Sequence, residues 1–208
     1  MSEIIETGGL SHKQRMLAGL PYHVDDPELV AEFARAHRLA AAYSLIDPGD
    51  RGAQEVVLRG LLGSLGEDCE VRAGLRLELG YNLHLGHRVF VNFDVTFLDI
   101  AEIRIGDDTL IGPNVNILTP THPTDPRARR EKWEAAKPIT IGRNVWLGGN
   151  VTICPGVTIG DDTTVGAGSV VVHDIPPLVV AVGNPARIVK MLPPEDAPGP
   201  EESAMSGG

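Results

Sequence analysis

Through the C-terminal half of the chain an aliphatic side chain returns at every sixth position, at Ile141, Leu147, Ile153, Ile159, Val165 and Val171. A helix brings its apolar face back about every 3.6 residues and a strand every second one, so this period belongs to neither alone. Four residues after the first five of these a smaller or branched side chain recurs (Val145, Val151, Val157, Thr163, Ser169), and glycine follows at 142, 148, 160 and 166. A repeat this short cannot bury its apolar residue by itself and has to stack on its neighbours. One hexad therefore reads as a short flat strand and a turn, and three hexads as one triangular coil of a parallel β-helix. Gly142-Arg143-Asn144 and Gly160-Asp161-Asp162 supply the corners, where the backbone turns left-handed or is closed by a side chain.

The same phase runs upstream through Ile105-Gly106, Ile111-Gly112 and Ile117, so the stretch between Ile117 and Ile141 interrupts the coil without breaking its register. Earlier hexads read as Leu79-Gly80, Leu85-Gly86, Val91-Asn92 and Phe97, with an insertion near Asp99-Ile100. Before them the pattern changes to helical. Ser11 caps a short helix through Leu20, and Asp26-Pro27-Glu28 opens another with Leu29, Phe33, Ala36 and Ala40 on one face. Asp47-Pro48-Gly49-Asp50 starts a third that ends near Gly63, and the coils are entered from about Val71. The organisation expected is a helical segment over 1–65, a mainly β domain of hexad coils over 66–192 with a protruding loop at 119–138, and a disordered Pro/Glu/Ser/Gly tail over 193–208. A long loop without the repeat in a compact solenoid is a place to look for function.

With 208 residues and 42% hydrophobic content the chain can bury a substantial core. Its net charge of −10 argues against nucleic acid as a partner, since the Arg127 to Arg130 cluster is short and followed by acids. Cys69 and Cys154 lie in repeat-like contexts with no partner motif, which speaks against a disulfide scaffold or a cysteine zinc site and is compatible with a reducing cytoplasm. Neither a signal peptide nor a membrane span is expected.

The piece SHKQRMLAGLPYHVDDPEL and the run LELGYNLHLGHRVFVNFDVTFLDIAEIRIGDDTLIGPNVNILTPTHPTDPRARR resemble the maltose and galactoside O-acetyltransferases among the hexapeptide-repeat acyltransferases. The resemblance implies a left-handed parallel β-helix, a homotrimer with active sites between subunits, and direct acetyl transfer from acetyl-CoA to a sugar hydroxyl without a metal.

His122 is the first candidate for chemistry. An alcohol is a poor nucleophile at neutral pH, and imidazole is suited to take its proton during attack on an acyl carbonyl. The histidine sits where the repeat breaks, in the THP that matches the family's catalytic histidine. By the same resemblance Asn92 lies beside the catalytic histidine and orients the acceptor, while Asp99 and Glu78 face the acceptor. The resemblance also makes the backbone N–H of Gly149 the candidate donor to the developing oxyanion. The resemblance places Gly149 and Ala167 along the acetyl-CoA groove, with His173 where relatives carry a lysine and Arg187 and Lys190 near the nucleotide phosphates. Trp146 reads as an outward packing or subunit-interface residue. Ile100, Phe33 and Val24 replace charged residues of the galactoside branch, which favours a maltose- or glucose-like acceptor.

Other readings stay open at this level. Serine, an antibiotic or an oligosaccharide nodulation signal could be the acceptor, although the N-terminal helices argue against the antibiotic group. A zinc hydratase on the same coils would need three imidazoles; His87 and His122 supply two, and Arg127 stands where a third is expected. A non-catalytic β-helix that binds partners is the remaining class.

Overall fold

The computed structural model describes residues 9–194. The first eight residues and most of the expected tail, 195–208, lie outside them.

The N-terminal segment contains α1 (His12–Leu17), the two-residue strand β1 (Tyr22–His23), α2 (Pro27–Tyr43) and α3 (Arg51–Leu61). The expected caps form. Ser11 and Gln14 make a reciprocal capping box, and Asp26 accepts hydrogen bonds from the N–H groups of Glu28 and Leu29 ahead of Pro27. The third helix is capped by Asp50, the last residue of the expected start.

The coils begin at Ser64, earlier than the expected entry near Val71. Their strands are β2 (Ser64–Leu65), β3 (Glu70–Val71), β4 (Arg76–Leu77), β5 (Leu83–Leu85), β6 (Phe90–Val91), β7 (Thr96–Leu98), β8 (Ile103–Ile105), β9 (Leu110–Ile111) and β10 (Asn116–Leu118). The loop contributes β11 (Pro120–Thr121), the short α4 (Pro126–Arg130) and β12 (Trp133–Ala136). The coils resume with β13 (Ile139–Ile141), β14 (Trp146–Leu147), β15 (Thr152–Ile153), β16 (Thr158–Ile159), β17 (Thr164–Val165) and β18 (Val170–Val171), and close with β19 (Val179–Val182) and β20 (Arg187–Met191).

Successive coil strands fall on three faces of a prism. Face A is β2-β5-β8-β13-β16, face B is β3-β6-β9-β14-β17-β19-β20, and face C is β4-β7-β10-β15-β18. Apart from the closing β19–β20 pair, which is antiparallel with a bulge at Val180/Ala181, the coil strands pair parallel and in register, so Leu77, Phe97, Ile117, Ile153 and Val171 form one column. This column corrects the sequence phase at one place: Leu77, not Leu79, fills the coil beneath Phe97. The inward aliphatics of all faces merge into one core, whereas Leu79 joins a separate cluster with Met16, Tyr22, Leu29, Ile100 and Ala136.

The corner from A to B places Asp68, Arg88, Asp108, Asn144, Asp162 and Leu178 in the left-handed region, with φ from 52° to 61°. The corner from B to C does the same with Gly74, Asp94, Asn114, Asn150 and Gly168. Asn and Asp tolerate this conformation because their short polar side chains bond locally. Coils also approach too closely for side chains at some corners. A Cβ on Gly106 would lie 2.6 Å from the carbonyl carbon of Gly142.

The corner from C back to A behaves differently. The inward residues on either side of it are eight apart at Leu77 and Leu85 and at Phe97 and Ile105, twenty-four apart at Ile117 and Ile141, and six apart at Ile153 and Ile159. Two short insertions and the long loop are therefore stacked at one corner.

Candidate active site

The two short insertions at this corner lie outside the strand ladders, and side chains help tie them to the coils. Asp99 is fully buried, and its Oδ1 accepts hydrogen bonds from the N–H groups of Glu78 at 3.0 Å and Leu79 at 2.9 Å. Its Oδ2 has no partner among the described residues. Burial pushes the Asp99 carboxyl above the ordinary range, against the pull of the backbone donors. Asn82 reaches up from the first insertion to donate to the carbonyls of Asp99 at 2.9 Å and Ile100 at 3.0 Å. Thr119 ties the second insertion to the loop. Its hydroxyl donates to Leu98 O at 2.6 Å and accepts from the Ala101 N–H at 3.0 Å.

Above these staples the loop folds back as an antiparallel ribbon, with Pro120 opposite Ala136 and Thr121 opposite Ala135. The other edge of β12 takes β1, which sets Tyr22 opposite Glu134 and His23 opposite Trp133. Alternation then divides the ribbon. Glu134 and Ala136 face inward, and Trp133 and Ala135 face out. On the outer side the rings of His12, His23 and Trp133 cluster, His12 edge-on to the other two and the tilted His23 and Trp133 rings 4.0 Å apart.

His122 follows β11 immediately and is exposed, at 58% of its side chain. Its Nε2 lies 3.9 Å from Oε2 of Glu134, which is only 6% exposed. Glu134 Oε1 accepts the Tyr22 hydroxyl at 2.6 Å. Burial raises the Glu134 carboxyl above its ordinary range, Tyr22 and then His122 pull it back, and the charge of Glu78 pushes it up again. Tyr22 is held far above the usual phenol range by burial and by Glu134, so it remains a donor. Glu78 itself stands 3.4 Å from His37 of α2. Tyr81 donates to Glu32 of α2 at 2.8 Å, and Lys13 of α1 pairs with the same carboxylate. Val24 and Phe33 pack, half-buried, against the small apolar cluster beneath.

His122, Glu78 and Asp99 are thus brought to one corner, C to A. Asn92, Gly149 and Ala167 are not: they stand at the B-to-C corner, on the opposite edge of face C. There Asn92 accepts the Phe93 N–H on its own Oδ1 at 2.8 Å, and its amide NH₂ makes no hydrogen bond among the described residues. Above it Pro113 has no N–H to offer. Among the described residues the N–H groups of Gly149 and Ala167 make no hydrogen bond. The nearest atoms to a Cβ at Gly149 would be those of Pro113 at 3.4 Å, so a side chain there is not grossly excluded. His173 lies at the C-to-A corner and is exposed, and Arg187 and Lys190 are exposed on β20, the edge strand of face B. No group of three or more His, Cys, Asp or Glu side chains that could hold a metal occurs among the described residues.

Sequence reasoning missed Glu134 and Tyr22. Both lay in stretches that were singled out, Glu134 as the one acid in Trp-Glu-Ala-Ala at the end of the loop. Only the ribbon pairing joins two residues so far apart in the chain.

Comparison with known proteins agrees with this architecture. Residues 15–66 match the maltose acetyltransferase hexapeptide capping motif, and residues 138–173 match the bacterial transferase hexapeptide family of six repeats. A maltose O-acetyltransferase from Clostridium difficile 630 superposes with a TM-score of 0.87 at 42% identity, over 89% of this chain and 100% of that one. A galactoside acetyltransferase in complex with coenzyme A superposes with a TM-score of 0.84 at 34% identity, over 89% of this chain and 92% of that one. Nodulation protein L of Rhizobium meliloti is 41% identical over 179 residues, 86% of this chain and 97% of the relative.

Proposed function

The chain belongs to the maltose and galactoside O-acetyltransferase family of hexapeptide-repeat enzymes and is an acetyl-CoA-dependent O-acetyltransferase, and from that premise we propose that it acetylates a hydroxyl of a maltose- or glucose-like sugar with His122 as general base. The observation that carries this reading is the exposed imidazole of His122 above a buried carboxylate, at a corner whose other inserted residues present Glu78 and Tyr81. Acetyl-CoA supplies the activated acetyl group. The acceptor oxygen bonds to the acetyl carbon as the C–S bond breaks, and the hydroxyl proton passes to His122 and then to the sulfur of the leaving thiol. The unpaired N–H of Gly149 suits the carbonyl oxygen as it gains charge, and the N–H of Ala167 one coil on suits an amide carbonyl of the pantetheine arm. Asn92 offers its NH₂ to the same region, and Arg187 and Lys190 suit the phosphates.

Within one chain these donors and His122 stand at opposite edges of face C, so the reading requires a second copy to bring them together. We therefore take the working unit as a homotrimer with sites between subunits. Exposed Leu110 and Trp146, adjacent in the ladder on face B, support an apolar contact there. The free thiols Cys69 and Cys154 support a cytoplasmic setting, and no helix among the described residues is long and apolar enough to cross a membrane. An oligosaccharide acceptor is the second reading, favoured by the similarity to nodulation protein L.

The test is thiol release from acetyl-CoA with glucose, maltose, galactosides, serine, a chitin oligosaccharide and chloramphenicol, for wild type and His122→Ala. Release that depends on a glucose-type sugar and falls on the order of a hundredfold or more in His122→Ala is expected. Equal activity in the variant overturns the base. Sedimentation as a monomer overturns the shared site.

A further inference from the structure

An exposed histidine on a turn can adopt many orientations, and a general base needs one. The ribbon behind His122 is built from buried groups that restrict it. β12 carries Glu134 between two strands, with Tyr22 opposite it on one edge and the start of the His122 turn on the other. Its two carboxylate oxygens point to different partners, Oε1 to the Tyr22 hydroxyl at 2.6 Å and Oε2 toward His122 Nε2 at 3.9 Å. Tyr22, opposite Glu134 in the ribbon, and Ala136, on the same inward side of β12, belong to a buried apolar cluster with Met16, Leu79 and Ile100. A carboxylate among such neighbours is costly, and an apolar side chain of similar volume would serve packing better.

We propose that Glu134 is the positioning carboxylate of His122, and that Tyr22 holds Glu134 in place, so that the N-terminal strand β1 sets the orientation of the base. This rests on the reading of His122 as base. A small rotation that closes the 3.9 Å gap makes an Nε2–H to Oε2 hydrogen bond and leaves Nδ1 with the lone pair that takes the acceptor's proton. The imidazolium formed at that moment has Glu134 as its counter-charge until the proton moves on to the thiol. Tyr22 keeps its own proton throughout. The groups facing Glu134 are Tyr22 from β1, His122 from the loop and Glu78 from the first inserted corner, the last adding negative charge.

The experiment compares kcat/KM across pH for wild type, Glu134→Gln, Tyr22→Phe and His122→Ala, with acetyl-CoA and whichever sugar of the panel gives the fastest thiol release. Glu134→Gln keeps the volume and removes the charge. Its kcat/KM is expected to fall on the order of ten- to a hundredfold, with the acid limb of the profile displaced to lower pH because the imidazolium has lost its partner. Tyr22→Phe keeps the ring and is expected to show a smaller loss in kcat, with KM for acetyl-CoA unchanged. Wild-type rates and an unmoved acid limb in both variants, with His122→Ala inactive, overturn this inference and leave the base standing. A loss in Glu134→Gln that follows only its unfolded fraction overturns it too. Full activity in His122→Ala overturns the underlying assignment instead.

Discussion

The A-to-B corner turns in the same way at every coil, with one left-handed residue from Asp68 to Leu178 and backbone hydrogen bonds to the coil above. The C-to-A corner takes on extra chain in three successive coils, and there side chains do what ladders do elsewhere. Asp99, Asn82 and Thr119 are buried polar groups, each bonded to backbone across coils. The A-to-B corner has buried threonines of its own, Thr109 and Thr163, that also bond to backbone across coils, but its charged side chains form exposed pairs such as Arg88 with Asp108 and Arg143 with Asp161, which contribute little to stability. The difference teaches where chemistry can be added to a solenoid. Turns of regular length are closed largely by backbone hydrogen bonds between coils, whereas the short insertions lie outside the ladders, and their buried polar staples hold side chains such as Glu78 and the His122 ribbon in fixed places.

Three measurements sharpen the comparison. The largest effect is expected in the repeat itself. Ile141→Ala removes a side chain 1% exposed within the core, and should destabilise by about 2–5 kcal/mol in thermal or denaturant unfolding, with turnover per folded molecule unchanged. A loss of turnover without loss of stability would show that the coils are more than scaffold. Next comes Asn82→Ala, which strands the carbonyls of Asp99 and Ile100. A cost of about 1–3 kcal/mol is expected, with KM for the sugar raised because Glu78 and Tyr81 flank the loosened turn. An unchanged KM would separate the staples from the site.

The smallest effect is a slope. Because burial raises the folded-state Asp99 carboxyl, the folded protein holds that proton more tightly than the unfolded chain. Its contribution is therefore fully present below the ordinary carboxylate pKa and is lost as pH rises through the raised folded value. Asp99→Asn removes that titration, so the melting-temperature difference, wild type minus variant, should fall as pH rises through that window. A flat difference would show that Asp99 is charged in the native state and that Oδ2 finds a partner in the assembled enzyme.

Much of this architecture was readable in advance because a hexad repeat is a local signal. The aliphatics from Ile105 to Val171, the Asn and Asp corners, the caps at Ser11 and Asp26 and the protruding loop each depend on neighbours a few residues away. The same locality explains the error at Leu79. It sits six residues before Leu85, as a regular hexad would, and only pairing with Phe97 shows that Leu77, eight before, is the coil residue. It also explains why His122 stood out, since it follows the break in the repeat, while Glu134 did not.

By itself, then, the sequence determined a stack of coils, the helices before it, the place of the loop and the residue types able to move a proton. Tertiary structure alone decided that all the extra chain lies at one corner, that Tyr22 and Glu134 meet behind His122, and that Gly149 and Asn92 stand a full face away from it. A six-residue period reports which side chains point inward, because burial repeats with the coil. Contacts between a two-residue strand and a loop 112 residues further on leave no period, and their partners are chosen only when the backbone closes on itself and a buried carboxylate has to find a donor.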